Sequence, residues 1–257
     1  MAAVDLGSNS FRLLICQAFI TPSGMQLRTI DTLREPVRLA AGLTPAKILD
    51  DAAFERGLDA IRRFGERLRG FSPEQVRAVA TNTLRVARNA QKFVQQAQIA
   101  LGFPIEVIAG VEEARLIYIG TSHEAPAVSG NRLVIDVGGG SSEFIIGKAY
   151  EPKLLESLYI GCVSHSIRFF PNGVIDPHAF KEAELAARRE VQVIKRRFSK
   201  AGWNQVIGSS GTARALADLI ADNKLNGSHE KTTLDSFDKV GASVITLQGL
   251  KALRRRL

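Results

Sequence analysis

One motif occurs twice in this chain, and the repeat constrains the fold more than any other feature. The second copy is Leu133-Val-Ile-Asp136-Val-Gly138-Gly139-Gly140-Ser141-Ser142-Glu143-Phe-Ile-Ile146: an apolar run ending in an acid, a glycine–serine break, and a second apolar run. That pattern reads as strand, tight loop, strand. The first copy is Ala3-Val4-Asp5-Leu6-Gly7-Ser8-Asn9-Ser10-Phe11-Arg12-Leu13-Leu14-Ile15, with Asp5 in register with Asp136, 131 positions earlier. This spacing is too long for a solenoid repeat and fits a duplicated domain. Two facing halves, each with a glycine–serine hairpin, imply a cleft suited to phosphate.

The 257 residues and 45% hydrophobic content suffice for two domains of ordinary size. We place them at 1–124 and 125–257. No window approaches the roughly 18 apolar residues of a membrane span, and no basic segment followed by a long apolar stretch opens the chain. Cys16 and Cys162 sit in apolar segments without a CxxC pair and read as reduced thiols, which suits a cytoplasmic location. The formal charge is +8, from 34 Lys and Arg against 26 Asp and Glu, and favours a polyanionic partner. Arginine runs interleaved with aromatics are absent, so nucleic acid is not the expected one.

Each half begins alike. Residues 2–6 and 11–18 form a hairpin and Gln26–Leu33 a third strand, with Pro36 arguing against a central strand beyond it. A helix follows from a cap at Asp50 or Asp51, with Phe54, Leu58, Ile61 and Leu68 near helical spacing. Val76–Ala80 is a strand, Thr81-Asn82-Thr83 a polar break, Ala90–Leu101 a helix, Ile105–Ile108 a short strand, and Gly110–Gly120 a helix. Ser122–Asn131 is the expected connection. The second half repeats with strands at 132–137, 142–148 and Lys153–Ile160, then a helix from Gly161 to about Phe170. Asp176-Pro177 caps a long helix with an apolar stripe at Phe180, Ala183, Ala187, Val191, Ile194 and Phe198. Gln205–Ile207 is a strand, and a helix runs to about Ala221. Asn223–Thr233 is polar and reads as a mobile loop. The amphipathic helix from Leu247 stops at Leu257 without a final strand and helix, so a longer parent protein is expected. The fold class is α/β with mixed sheets.

Loops rich in Gly and Ser expose backbone amides and hydroxyls to a phosphate oxygen. One copy alone reads as a turn; two in register read as a grip from both sides by Gly7, Ser8, Asn9 and Ser10 and by Gly138, Gly139, Gly140 and Ser141. Asp5 and Asp136, at matching strand ends, suit Mg²⁺, which takes one or two carboxylates and keeps most of its waters. Gly208-Ser209-Ser210-Gly211-Thr212 is a third small-residue loop at a helix start, equally readable as an anion site or as a plain connection. Glu112 and Glu113 begin a helix, where composition alone favours mere complementarity to the helix dipole. Arg85 is either a surface charge or a guanidinium clamp.

Taken together, Asp5-Leu-Gly-Ser-Asn-Ser10, Thr81-Asn-Thr-Leu-Arg85, Gly110-Val-Glu-Glu-Ala-Arg-Leu-Ile117, Ile135-Asp-Val-Gly-Gly-Gly-Ser-Ser-Glu143, Gly161-Cys-Val-Ser164 and Gly208-Ser-Ser-Gly-Thr212 resemble one family in order along the chain. It is the exopolyphosphatase and guanosine pentaphosphate phosphohydrolase family, within the actin, sugar-kinase and Hsp70 ATPase superfamily. Ala3–Phe11 and Tyr159–Ser164 look closer to its exopolyphosphatases.

The resemblance implies two ribonuclease-H-like domains with the active site between them. Glu113 takes the role of positioning the attacking water, Arg85 that of a basic cleft residue, and Asp136 that of the magnesium-linked acid. Glu143 closes the second phosphate loop. Inorganic polyphosphate is the implied substrate, with guanosine pentaphosphate or tetraphosphate as the alternative, Mg²⁺ the cofactor, and a catalytically weak polyphosphate or alarmone sensor a rival of another class. Two departures stand out. The helical C-terminal region of family members, through which a homodimer is expected to form, has no counterpart here. A lysine that helps to bind polyphosphate in some members is not matched near Arg188–Lys195, where Glu190 falls.

Overall fold

The structure is a computed structural model that describes residues 1–21, 24–226 and 244–256. The polar stretch read over Asn223–Thr233 therefore lies, from residue 227 onward, outside the described residues.

The first sheet contains β1 (Ala2–Leu6), β2 (Phe11–Thr21), β3 (Gly24–Glu35), β4 (Val76–Ala80) and β5 (Ile105–Val107), in the order β3-β2-β1-β4-β5. β1 runs antiparallel to β2 and parallel to β4, so the sheet is mixed. Its alternation is strict: Ala2, Val4 and Leu6 are buried while Ala3 and Asp5 face the other way. The buried side packs on α1 (Asp51–Arg67) and α3 (Ala90–Leu101) through Phe11, Leu13, Phe54, Ile61, Phe64 and Phe93. α1 starts where its sequence allows a cap, since Asp50 accepts a 2.7 Å hydrogen bond from the Ala53 amide. Gly57 has a structural reason of its own: a Cβ there would lie 2.8 Å from the Phe93 ring.

The expected break at Thr81–Thr83 is in fact the start of a short helix, α2 (Asn82–Val86), because the Thr81 carbonyl accepts from the Leu84 and Arg85 amides. That turn carries Arg85 back toward the sheet.

β6 (Asn131–Val137), β7 (Ser142–Lys148), β8 (Glu151–Leu158) and β9 (Gln205–Gly208) make the second sheet, in the order β8-β7-β6-β9. It repeats the first pattern, with β6 antiparallel to β7 and parallel to β9. On one face lies α6 (Pro177–Ala201), begun by Asp176, whose carboxylate accepts from the His178 and Ala179 amides. Only Ile194 and Phe198 of its apolar stripe are buried, against Leu133, Ile146 and Leu158. α5 (Cys162–Phe169), α7 (Gly211–Asp222) and α8 (Leu247–Arg254) complete the second half.

α4 (Gly110–Glu124) runs longer than Gly110–Gly120, so Ser122 belongs to the helix, where it is buried, and the connection begins at Ala125. This helix belongs to the first half by sequence and to the second by packing. Ala114 and Tyr118 are fully buried against Val134 and Ile145 of the second sheet. The two halves are thereby linked by a helix that lies across the face bearing Asp136.

No helix among the described residues is long and apolar enough to cross a membrane. Both cysteines are free, Cys16 buried and Cys162 half-buried.

Candidate active site

The two hairpin loops are built alike. Leu6 pairs with Phe11 and Val137 with Ser142, which leaves Gly7–Ser10 and Gly138–Ser141 as four-residue connections. Carbonyls of both loops are anchored by backbone amides of neighbouring turns. Ser8 O and Asn9 O accept from the Ala40 and Arg38 amides at 2.8 and 2.7 Å, at the start of a 3-10 turn over Leu39–Gly42. Gly138 O accepts from Cys162 N at 2.9 Å, and Gly139 O from Val163 N and Ser164 N, both at 3.0 Å, at the start of α5. In a planar trans peptide the next N–H points opposite to the carbonyl. The amides of Asn9, Ser10, Gly139 and Gly140 therefore point opposite to these anchored carbonyls.

The loops touch. A Cβ on Gly139 would lie 3.2 Å from the Cβ atoms of both Ser8 and Asn9, and one on Gly140 would lie 2.5 Å from Asn82 Oδ1. Glycine is needed here for close approach rather than for a positive φ. At the same junction the Nδ2 of buried Asn82 has no hydrogen-bond partner among the described residues. A buried amide nitrogen of this kind has a hydrogen bond left to donate to an oxygen acceptor.

The acids lie on one face of the second sheet. Asp136 and Glu143 oppose each other on the β6–β7 ladder, and Glu143 opposes Ser157 on β8. This is the face covered by α4, whose Gly110 passes so close that a Cβ there would meet Ser157 at 2.7 Å. The helix start splits the glutamate pair. Glu112 faces outward in an ion pair with Arg115 at 2.7 Å, whereas Glu113 turns in and receives a 2.7 Å bond from Arg85 Nη1. The same Nη1 donates to Ile108 O at 2.9 Å, which fixes the guanidinium in place.

Asp5, Glu113, Asp136 and Glu143 are pushed toward protonation. Burial, then the charges of Glu113 and Asp136, raise Glu143 to about 7, against opposing hydrogen bonds from Ser157 and Ser141. Asp5 opens on to the cleft but has protein packed around it; burial and Glu113 raise it to about 6, with Arg12 opposing. Burial also raises Glu113, against Arg85, and raises Asp136, against the hydrogen bond from Ser209. Burial leads in each case, and the guanidiniums of Arg85, beside Glu113, and Arg12, near Asp5 and Asp136, oppose it only in part. Among the described residues no three ligands gather as a ready cation cage. Asp5 and Asp136 nevertheless suit Mg²⁺, which takes as few as one or two carboxylates and completes its shell with water and phosphate.

The third loop is placed beside them, with its hydroxyls already engaged. Ser209 Oγ donates to Asp136 Oδ2 at 2.6 Å, Ser210 Oγ accepts from Val137 N at 3.2 Å, and Thr212 Oγ1 donates to Val137 O at 2.8 Å. Ser210 also caps α7 by accepting from Ala213 N. Gly208 and Gly211 flank these contacts, so the loop as built orients the end of β6 and its acid.

Reading the sequence missed two cations. Arg12 opposes Asp5 on the β1–β2 ladder, and Arg34 opposes Arg12 on the β2–β3 ladder. The signal was available, since closing the loop at Leu6 and Phe11 forces Arg12 on to the Asp5 side.

The fold is α/β, with two mixed sheets that each open on an antiparallel hairpin closed by a glycine–serine loop, and the carboxyls of Asp136, Glu143 and Glu113 gather on one face of the second sheet. The chain belongs to the Ppx/GppA phosphatase family, whose profile matches residues 20–256. It is 41% identical over 223 residues to a Haemophilus influenzae protein provisionally named an exopolyphosphatase, covering 87% of this chain and 68% of that one. It is 39% identical over 253 residues to the guanosine-5'-triphosphate,3'-diphosphate pyrophosphatase of Aeromonas hydrophila, covering 98% of this chain and 49% of that one. It therefore spans about two thirds of the first relative and about half of the second. Among solved structures, an exopolyphosphatase from Cytophaga hutchinsonii superimposes with a TM-score of 0.80 at 25% identity, over 99% of this chain and 78% of that one.

Proposed function

We propose that the chain hydrolyses the terminal phosphate of inorganic polyphosphate, releasing orthophosphate and a shortened chain. The observation that carries this reading is Glu113, held by Arg85 at 2.7 Å on the face that bears Asp136 and Glu143. The terminal phosphate would sit between Gly7–Ser10 and Gly138–Ser141, where backbone amides meet its oxygens. Glu113 would orient a water in line with phosphorus and take its proton as the new P–O bond forms and the bridging P–O bond breaks. A carboxylate made more basic by burial is a better proton acceptor, and Arg85 opposes that rise. Mg²⁺ held by Asp136 and Asp5 would supply charge neutralisation on the transferred group. Closing the halves around the phosphate would keep bulk water out.

The three loops carry amides, hydroxyls and no aromatic ring, which suits a substrate recognised through phosphate oxygens alone. Guanosine pentaphosphate is the second reading, favoured by the 39% identity to the Aeromonas enzyme. Phosphate release from polyphosphate, guanosine pentaphosphate and ATP, each with and without Mg²⁺, separates these readings. Fastest turnover of polyphosphate supports the first. Preference for the pentaphosphate installs the second, and binding without turnover of any of them leaves a sensor.

A further inference from the structure

The corresponding rungs of the two sheets both begin with an aspartate and then differ in charge. The second sheet presents Asp136, Glu143 and Ser157 in a row; the first presents Asp5, Arg12 and Arg34. Like charges directly opposite each other on adjacent strands are destabilising, and the carboxylates that act on Arg12 lie away from Arg34's strand, Asp5 on β1 and Asp136 on β6. Glu35 and Asp31 lie nearby on β3, but strand alternation turns them to the α1 side, where they pair with Arg63 at 2.9 Å and Arg67 at 3.4 Å. Neither Arg12 nor Arg34 has a carboxylate within ion-pair distance among the described residues.

Arg34 also reaches from the first sheet toward the second. Its Nε donates to Ser10 Oγ at 3.4 Å, the last residue of the first phosphate loop. Its Nη2 reaches the opposite half, 4.0 Å from where a Cβ on Gly211 would stand. A phosphate seated between the two loops would lie within reach of this guanidinium, which has donors to spare for the next phosphate of a chain.

We propose that Arg34 binds the phosphate that follows the terminal one, and so selects phosphoanhydrides over orthophosphate and simple phosphate monoesters. This rests on the reading of the cleft as a site for a phosphate chain. Arg34 is a binding residue in this role, and the bond-breaking groups do not depend on it.

The test measures binding of tripolyphosphate and of orthophosphate by calorimetry, in Glu113→Gln protein so that nothing is consumed. Removing a charge-assisted contact in Arg34→Ala weakens tripolyphosphate by about 10- to 100-fold and leaves orthophosphate within about threefold. Arg34→Lys, which keeps the charge and loses the fork, recovers part of the loss. Equal affinity of Arg34→Ala and its parent for tripolyphosphate overturns the proposal. So does an equal fall for both ligands, which marks a structural role. If the protein with Glu113 intact releases no phosphate while the selective loss persists, the hydrolytic reading fails and the assignment of Arg34 stands.

Discussion

Asp136 and Glu143 face each other across one rung of the β6–β7 ladder, two carboxyls side by side with Glu143 almost fully buried. Burial and the neighbouring acids raise Glu143 from an ordinary 4.5 to about 7, so the folded protein holds a proton that the unfolded chain has lost. Stability must then fall as pH rises from about 4.5 to about 7, and the cost is fully present above that range. In metal-free buffer, Glu143→Gln should be more stable than wild type at pH 8 by about 2–3 kcal/mol. The difference should vanish near pH 4. Thermal melts at the two pH values check both the sign and the window.

Arg85 opposes the effect of burial on Glu113. Without it, Glu113 becomes anionic only at higher pH. Arg85→Ala should move the acidic limb of the kcat/KM profile upward and destabilise the fold by about 3 kcal/mol, since it leaves a largely buried charge unpaired. A pH–rate profile with its limb unmoved would argue against the pairing.

Two glycines offer opposite outcomes for one substitution. Gly161 packs against the second phosphate loop, where a Cβ would lie 2.3 Å from Gly139 O, whereas Gly120 in α4 has nothing within 4 Å. Gly161→Ala should displace the loop, cost about 1–3 kcal/mol and weaken phosphate binding. Gly120→Ala should stabilise by about 0.5–1 kcal/mol through helix propensity. Paired melting curves, with phosphate titrated into each, read both effects.

A divalent ion should relieve the mutual repulsion of the acids. Mg²⁺ is expected to raise the melting temperature of wild type, and Asp136→Asn to abolish most of that rise. Chelation should remove phosphate release. A Mg²⁺ response unchanged in Asp136→Asn would place the ion elsewhere.

The strands and loops were legible because each rests on a local rule. Alternation set Val4 and Leu6 against Asp5, and the Asp50 and Asp176 caps marked where α1 and α6 begin. The placement of α4 was not legible, because Ala114 and Tyr118 fit an apolar surface on either sheet and only tertiary packing chooses one. That choice decides which glutamate faces the cleft, so composition at Glu112-Glu113 pointed to the helix dipole and family resemblance alone picked Glu113. The third loop shows a different limit. Its small residues suggested an anion site, while the structure engages Ser209, Ser210 and Thr212 with the end of β6. Hydroxyls serve both purposes, and the sequence does not carry the distinction.

The central claim is that Glu113 activates water against a terminal phosphate. Steady-state phosphate release from polyphosphate with Mg²⁺, comparing wild type with Glu113→Gln, tests it most directly. The account requires kcat to fall by about 10²- to 10⁴-fold with KM little changed, since Gln keeps the shape and loses the base. A Glu113→Gln enzyme that turns over within a few-fold of wild type would contradict it.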